Sequence, residues 1–280
     1  MAPQNPVSVE VFLDEYSRDD VIAKYLHKTA GAGIDYALSH VYAPVYSRIV
    51  KRSIAQRPRT HRFRVLEYGC GGGMNLFKLI ELFRNERAQI EAAIGVDFSA
   101  PMIEAARREV GRHAPRDLQD KISFLVAANE TLAPDLAKGL GSSVDDVERT
   151  FDVIVGVNTF RYSHRLNRET QCARDIFRLL RPGGFSVMID MNRHFPLFRS
   201  KVSDMLHRRP NEEIYLPTLE EYTSPFVAAG FAIVDKRNFC WIPHSASPAL
   251  LAVCRAAAPV LDLCVPSYAM RSLVVAQRPA

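Results

Sequence analysis

The stretch Val65-Leu66-Glu67-Tyr68-Gly69-Cys70-Gly71-Gly72-Gly73 decides how the rest of the chain is read. Its apolar opening suits a buried strand, and an acidic side chain stands near the end of that strand. Four glycines then fill the next five positions, before a helical pattern opens at Met74. Glycine lets the backbone take positive φ and lets a ligand approach with no Cβ in the way. In open α/β sheets, ligands lie beyond the carboxyl ends of the strands, which is where this turn falls.

Outward from the turn, short apolar runs alternate with helical patterns. The sequence predicts strands at Phe63–Glu67, Ala92–Asp97, Ile122–Ala127, Phe151–Val157 and Phe185–Asp190, with helices near Met74–Arg87, Ala100–Arg112 and Arg168–Leu180. This alternation implies parallel β-α-β units. Runs apolar on both parities, such as Val153-Ile154-Val155, suit strands covered on both faces. Ser99 is placed to cap the helix after the second strand, with Pro101 in its first turn. Arg181-Pro182-Gly183-Gly184 ends a helix and turns the chain into the fifth strand. Downstream, a helix near 218–229, a strand at Phe231–Trp241, a helix near 247–263 and a strand at Met270–Gln277 complete the series.

The expected fold is α/β, with a doubly wound, mostly parallel seven-stranded sheet, an antiparallel edge strand and a helical N-terminal cap. Residues 1–60 form the cap, with Ser17-x-x-Asp20 as a capping box and tyrosines at 36, 42 and 46. Residues 61–280 form the α/β domain, and 191–217, without clear period, read as an insertion over the open end of the sheet.

The turn does not fit phosphate binders. A dinucleotide fingerprint needs a third glycine where Met74 stands, and a P-loop needs Gly-Lys-Ser/Thr where Asn75-Leu76 follow. Glu67 would repel a pyrophosphate and attract a cation. An ammonium held by a carboxylate, beside glycine N–H groups that meet another carboxylate, suits the amino-acid end of S-adenosylmethionine. Asp97 ends the second strand in Ile94-Gly95-Val96-Asp97-Phe98-Ser99, where an acid accepts hydrogen bonds from ribose hydroxyls.

The series resembles the class I S-adenosylmethionine-dependent methyltransferases over about residues 62–190. Their E/D-x-G-x-G-x-G loop is matched by Glu67 to Gly73, and their second-strand acid by Asp97. The loop that holds adenine corresponds to Ala127-Ala128-Asn129-Glu130-Thr131-Leu132. The F-D-x-I/V strand corresponds to Phe151-Asp152-Val153-Ile154, leading into Asn158-Thr159-Phe160-Arg161-Tyr162, and the L-x-P-G-G turn to Leu180–Gly184. The resemblance implies S-adenosylmethionine as cofactor, held by Glu67, Gly69, Cys70, Gly71, Asp97, Phe98, Ala128, Asn129 and Asn158. The adenine-loop acid common in the family falls on Ala128, so Asn129 offers the polar contact instead. The histidine pair of many small-molecule members is replaced by Arg161-Tyr162, so no catalytic base carries over.

Other candidates are weighed against plainer roles. His164 and His194 fall just beyond strand ends, and either suits a general base, although most of the eight histidines must be surface or loop residues. Arg161 suits a bidentate pair with a substrate carboxylate, the alternative being an exposed arginine at a helix start. Tyr162 and Trp241 are further substrate candidates; Trp241-Ile242-Pro243-His244 would line the acceptor pocket. The cap tyrosines either close over the cofactor or simply pack their rings. Cys70 reads as a small space-filler.

Bulk properties narrow the partners. Net charge is +5, from 36 basic against 31 acidic residues, and the basic residues are scattered. The clusters Arg57–Arg62 and His207-Arg208-Arg209 lack interleaved aromatics, so nucleic acid is not expected. No apolar run approaches the ~18 residues that span a bilayer, and the first residues do not read as a secretory signal. Five cysteines without a C-x-x-C pair suggest reduced thiols, hence a cytoplasmic protein. No metal-ligand motif is seen. The expected reaction is in-line methyl transfer to a small acceptor, acidic or amino-acid-like because of Arg161. An RNA or ribosome-associated methyltransferase, a non-catalytic S-adenosylmethionine-binding module and aminopropyl transfer are the other readings. The oligomeric state is not written in the sequence.

Overall fold

The computed structural model describes residues 18, 20, 22, 23, 31–199 and 216–280. The capping box at Ser17, the cluster His207-Arg208-Arg209 and most of the 191–217 insertion lie outside the described residues. In chain order the helical elements of the cap are α1 (Ala32–Tyr36), a π-helical segment (Ala37–Tyr42) and α2 (Ala43–Ala55). There follow β1 (Arg62–Tyr68), α3 (Met74–Asn85), β2 (Gln89–Asp97), α4 (Ala100–His113), β3 (Ile122–Val126), α5 (Leu132–Gly139) and α6 (Val144–Val147). Then come β4 (Phe151–Val157), α7 (Phe160–Arg165), α8 (Glu169–Leu179), β5 (Leu180–Met191) and α9 (Pro196–Arg199). The chain closes with α10 (Leu219–Ala228), β6 (Ala232–Phe239), α11 (Pro248–Cys264) and β7 (Arg271–Gln277).

The seven strands form one sheet in the order β3-β2-β1-β4-β5-β7-β6. Six run in one direction and β7 runs against them, between β5 and the edge strand β6. One face packs on α2, α3 and α4 through Val50, Leu79, Phe83 and Ile103. The other packs on α5, α8 and α10 through Leu136, Ile176 and Phe226. This double cover explains the strands' apolar character on both parities: Val153, Ile154 and Val155 are all fully buried.

Ser99 caps α4 by accepting from the Met102 N–H, as expected. β5 starts earlier than the sequence suggested, at Leu180, because Pro182-Gly183-Gly184 is taken into the strand through a left-handed Gly183 (φ 78°) and a register shift against β4. The short helices α5 and α6 were not expected. The first is only eight residues long, with Leu132, Ala133, Leu136 and Ala137 on its buried face, and α6 is held by the capping box of Ser143 and Asp146.

The cap is continuous with the domain, since Tyr46, Ile49 and Val50 of α2 enter the same core as β1, β4 and β5. Pro44 explains the π segment ahead of it. It lacks the N–H that would bond His40, and its ring crowds that carbonyl, so the helix widens there.

Candidate active site

The glycine turn after β1 is built on alternating left-handed residues: Gly69, Gly71 and Gly73 have φ of 61°, 51° and 79°. A side chain at any of them would be strained. At Gly69 space also forbids it, because a Cβ would lie 2.1 Å from Thr159 Oγ1. At Gly71 the nearest atom to such a Cβ is Met102 Cε, 3.5 Å away, so that side of the turn is open. Cys70 donates its N–H to Val96 O at 2.8 Å, which ties the turn to β2. Its thiol is buried in the core, in keeping with a space-filling role.

Asp97 stands at the end of β2 and is 7% exposed. Oδ2 accepts from the Gly71 N–H and Oδ1 from the Ser99 N–H, each at 2.9 Å. Burial pushes its carboxyl up, and these two hydrogen bonds oppose the shift. A carboxylate has about four acceptor positions, so two remain for ribose hydroxyls. The open turn at Gly71 and these spare lone pairs fit S-adenosylmethionine's nucleoside half.

Glu67 faces the start of α3. It is 1% exposed, and both oxygens are turned inward, Oε2 to the Leu76 N–H at 2.8 Å and Oε1 to the Asn75 amide at 2.9 Å. A helix N-terminus leaves N–H groups without partners and attracts negative charge, and the start of α3 lies within reach. Burial pushes this carboxyl up to about 8. Glu67 therefore ties the end of β1 to the start of α3. Tyr46 of the cap completes the chain of contacts, donating its hydroxyl to Asn75 Oδ1 at 3.1 Å.

The other cofactor candidates gather at the same end of the sheet: half-buried Phe98 after β2, Ala128 and Asn129 after β3, Asn158 after β4. The Asn129 amide donates to Thr159 Oγ1 at 2.6 Å and to Thr159 O at 3.2 Å, joining the β3 and β4 loops. Ala128 N–H is held by Asp135 of α5 at 3.1 Å. Asn158 is left-handed, with φ 58°, and its side-chain oxygen accepts from Arg271.

Of the acceptor and base candidates, Arg161 is turned to fully buried Asp190. Its N–H donates to Asp190 Oδ2 at 3.0 Å, its Nε lies 3.9 Å from Oδ1, and its Nη2 donates to the Tyr162 hydroxyl at 2.9 Å. His164 Nδ1 lies 3.1 Å from Glu169 on α8, so the structure pairs it with that acid. His194 is half-buried, with its N–H on Asn192 Oδ1 at 3.0 Å. Trp241 departs from its expected place in a pocket. Its indole N–H donates to Asp262 at 2.7 Å and its rings pack with Phe195 and Met270 beside α11.

Three further residues stand at the site, of which the sequence reading had weighed only Tyr42, among the cap tyrosines. Thr159 touches both the glycine turn and the Asn129 loop. Tyr42, fully buried, makes a 2.8 Å hydrogen bond with His244 Nε2. Arg271 opens β7 beside the end of β5. The tyrosine-rich cap and the Trp241–His244 run hinted at the second; nothing local signalled the third.

Residues 60–229 match the family described as methyltransferase domain. No curated protein matches. Among solved structures, an S-adenosylmethionine-dependent methyltransferase from Mesorhizobium loti is 20% identical, with 81% of this chain and 95% of that one covered and a TM-score of 0.51. Phosphoethanolamine N-methyltransferase 2 of Haemonchus contortus, in complex with S-adenosylmethionine, is 15% identical over 99% of this chain and 61% of that one, with a TM-score of 0.57. The CMeT domain of the citrinin polyketide synthase is 16% identical over 95% of this chain and 58% of that one, with a TM-score of 0.60. At such identities the likeness is one of fold. The family match takes in the glycine turn, the strand-end acid and the paired loops, and the chain belongs to the methyltransferase-domain family as an S-adenosylmethionine-dependent methyltransferase.

Proposed function

We propose that the acceptor is a small molecule with an acidic or amino-acid-like group, methylated by direct in-line displacement. The observation that supports this reading is the packing of the cap near β6 and its following loop: Tyr42 is fully buried, meets Phe239 and bonds His244. A cap packed beside the strand ends favours small acceptors over polymers. The basic cluster at residues 57–62 supports this, because Arg57 and His61 turn inward onto Asp152, at 3.5 and 2.9 Å, instead of forming a track for RNA.

When bound, S-adenosylmethionine supplies a methyl group already activated on a sulfonium. The protein's part is then to align the reactants and exclude water. Asp97 holds the ribose with its two remaining acceptor positions. The glycine turn meets the amino-acid end through its backbone, with Glu67 fixing the turn to α3. Phe98, Ala128 and Asn129 border the base, and Asn158 stands after β4 on the cofactor's side, in contact with Arg271. A hydroxyl or ammonium acceptor also needs a proton acceptor. Each histidine at this end has one ring nitrogen engaged, His244 Nε2 with Tyr42 and His164 Nδ1 with Glu169.

The test is transfer of labelled methyl from S-adenosylmethionine by the purified full chain. It is offered small carboxylates and amino acids on one side and total RNA on the other. Label in small acids supports the reading; label confined to RNA removes it.

A further inference from the structure

Arg271 is the first residue of β7, paired with Met191 at the end of β5 and with Phe239 at the end of β6. It is 4% exposed. A guanidinium carries five N–H donors, yet this one makes a single hydrogen bond, from Nη1 to the side-chain oxygen of Asn158, and its buried Nε has no partner. Among the described residues no carboxylate lies within ion-pair distance of it. Asp190, the acid whose charge it feels, is already held by the N–H groups of Arg161 and Met191 and by the Arg161 guanidinium. Buried Arg271 and half-buried Arg161 thus have Asp190 as the acid nearest in influence to both.

A buried cation left without partners is costly, and native proteins rarely keep one without a reason. The planar fork of arginine matches a carboxylate in bidentate geometry. Position decides whose carboxylate. β7 lies three strands from β1 in the sheet, about 14 Å at ordinary strand spacing, and so well away from the glycine turn. It adjoins Asn158, which follows β4, and lies close enough to Tyr42 to act on it electrostatically.

We infer that Arg271 recognises the acceptor through a carboxylate on that molecule, an assignment that rests on the small acidic acceptor proposed above. Asn158 orients the guanidinium, and the unpaired Nε edge meets the ligand.

The experiment uses the full chain with S-adenosylhomocysteine bound. Calorimetry measures binding of a panel of mono- and dicarboxylates and amino acids, and of their neutral amides, to the wild type, Arg271→Met and Arg271→Lys. The wild type is expected to bind carboxylates and not amides. Arg271→Met should weaken carboxylates on the order of a hundredfold, Arg271→Lys less, and both should leave S-adenosylhomocysteine affinity unchanged. The melting temperature of ligand-free Arg271→Met should hold or rise, because a buried unpaired charge has been removed. A packing role would give the opposite, a lower melting temperature with unchanged carboxylate binding, and would overturn the assignment. Weakened S-adenosylhomocysteine binding would overturn it too, by making the cofactor's own carboxylate the partner. Carboxylates bound equally by wild type and Arg271→Met would remove Arg271 alone, whereas a wild type that binds no carboxylate would remove the acidic acceptor itself.

Discussion

At the carboxyl ends of β1 and β2, both oxygens of Glu67 and both of Asp97 accept hydrogen bonds from the chain itself. At the ends of β4, β5 and β7, by contrast, Arg271 keeps most of its donors open and Arg161 leans on an Asp190 that serves two cations. The first region is a finished scaffold, rigid before any ligand arrives. The second carries surplus charge that only a further group can answer. The contrast teaches that the cofactor half of the site depends on backbone shape, whereas the acceptor half depends on charge brought together from distant elements.

The contrast can be broken most forcefully at the turn. Gly69→Ala should lose cofactor binding and cost about 3 kcal/mol or more of stability, because it combines left-handed strain with a collision against Thr159. Calorimetry with S-adenosylhomocysteine and thermal melting check this; a variant with wild-type affinity would show that the turn is not rigid. Asp97→Asn should weaken cofactor binding by about 2 kcal/mol, roughly thirtyfold, through loss of a charged acceptor. The same titration reads it, and an unchanged Kd would remove Asp97 from the ribose.

Glu67 sharpens the comparison through pH. The folded protein keeps its proton up to about 8, against an ordinary 4.5. Across that window the native state binds more protons than the unfolded chain, so stability falls as pH rises from about 4.5 to about 8 and then levels off. Glu67→Gln keeps a neutral partner for Asn75 and Leu76 and should flatten that part of the profile. Melting temperatures of both proteins from acid to alkaline pH decide it, and parallel profiles would refute the account. The smallest effect is expected from Tyr42→Phe, about 1 kcal/mol for one hydrogen bond to His244. It should leave S-adenosylhomocysteine affinity intact, and a loss there would join the two halves of the site.

Much of this was legible in the residues alone. The strands, the glycine turn, Asp97 at a strand end and the Ser99 cap all follow from period and spacing within a few neighbours. The direction of Glu67 was not, because a ligand ammonium and the N-terminus of α3 attract the same carboxylate. Trp241 reads as a pocket residue from its place after β6, yet packing with Phe195 and Met270 takes its ring into a core.

The sequence by itself determined the alternation of strands and helices, the left-handed glycines and the acid beside them, since these rest on local backbone preference and apolar periodicity. Only the tertiary structure decided which polar atoms are answered and which are left open. Arg271 lies 113 residues from Asn158, and it takes the antiparallel return of β7 along β5 to bring them into contact. Hydrogen bonds and charge compensation act through space, so a buried cation without a partner becomes visible only once every neighbouring element is in place.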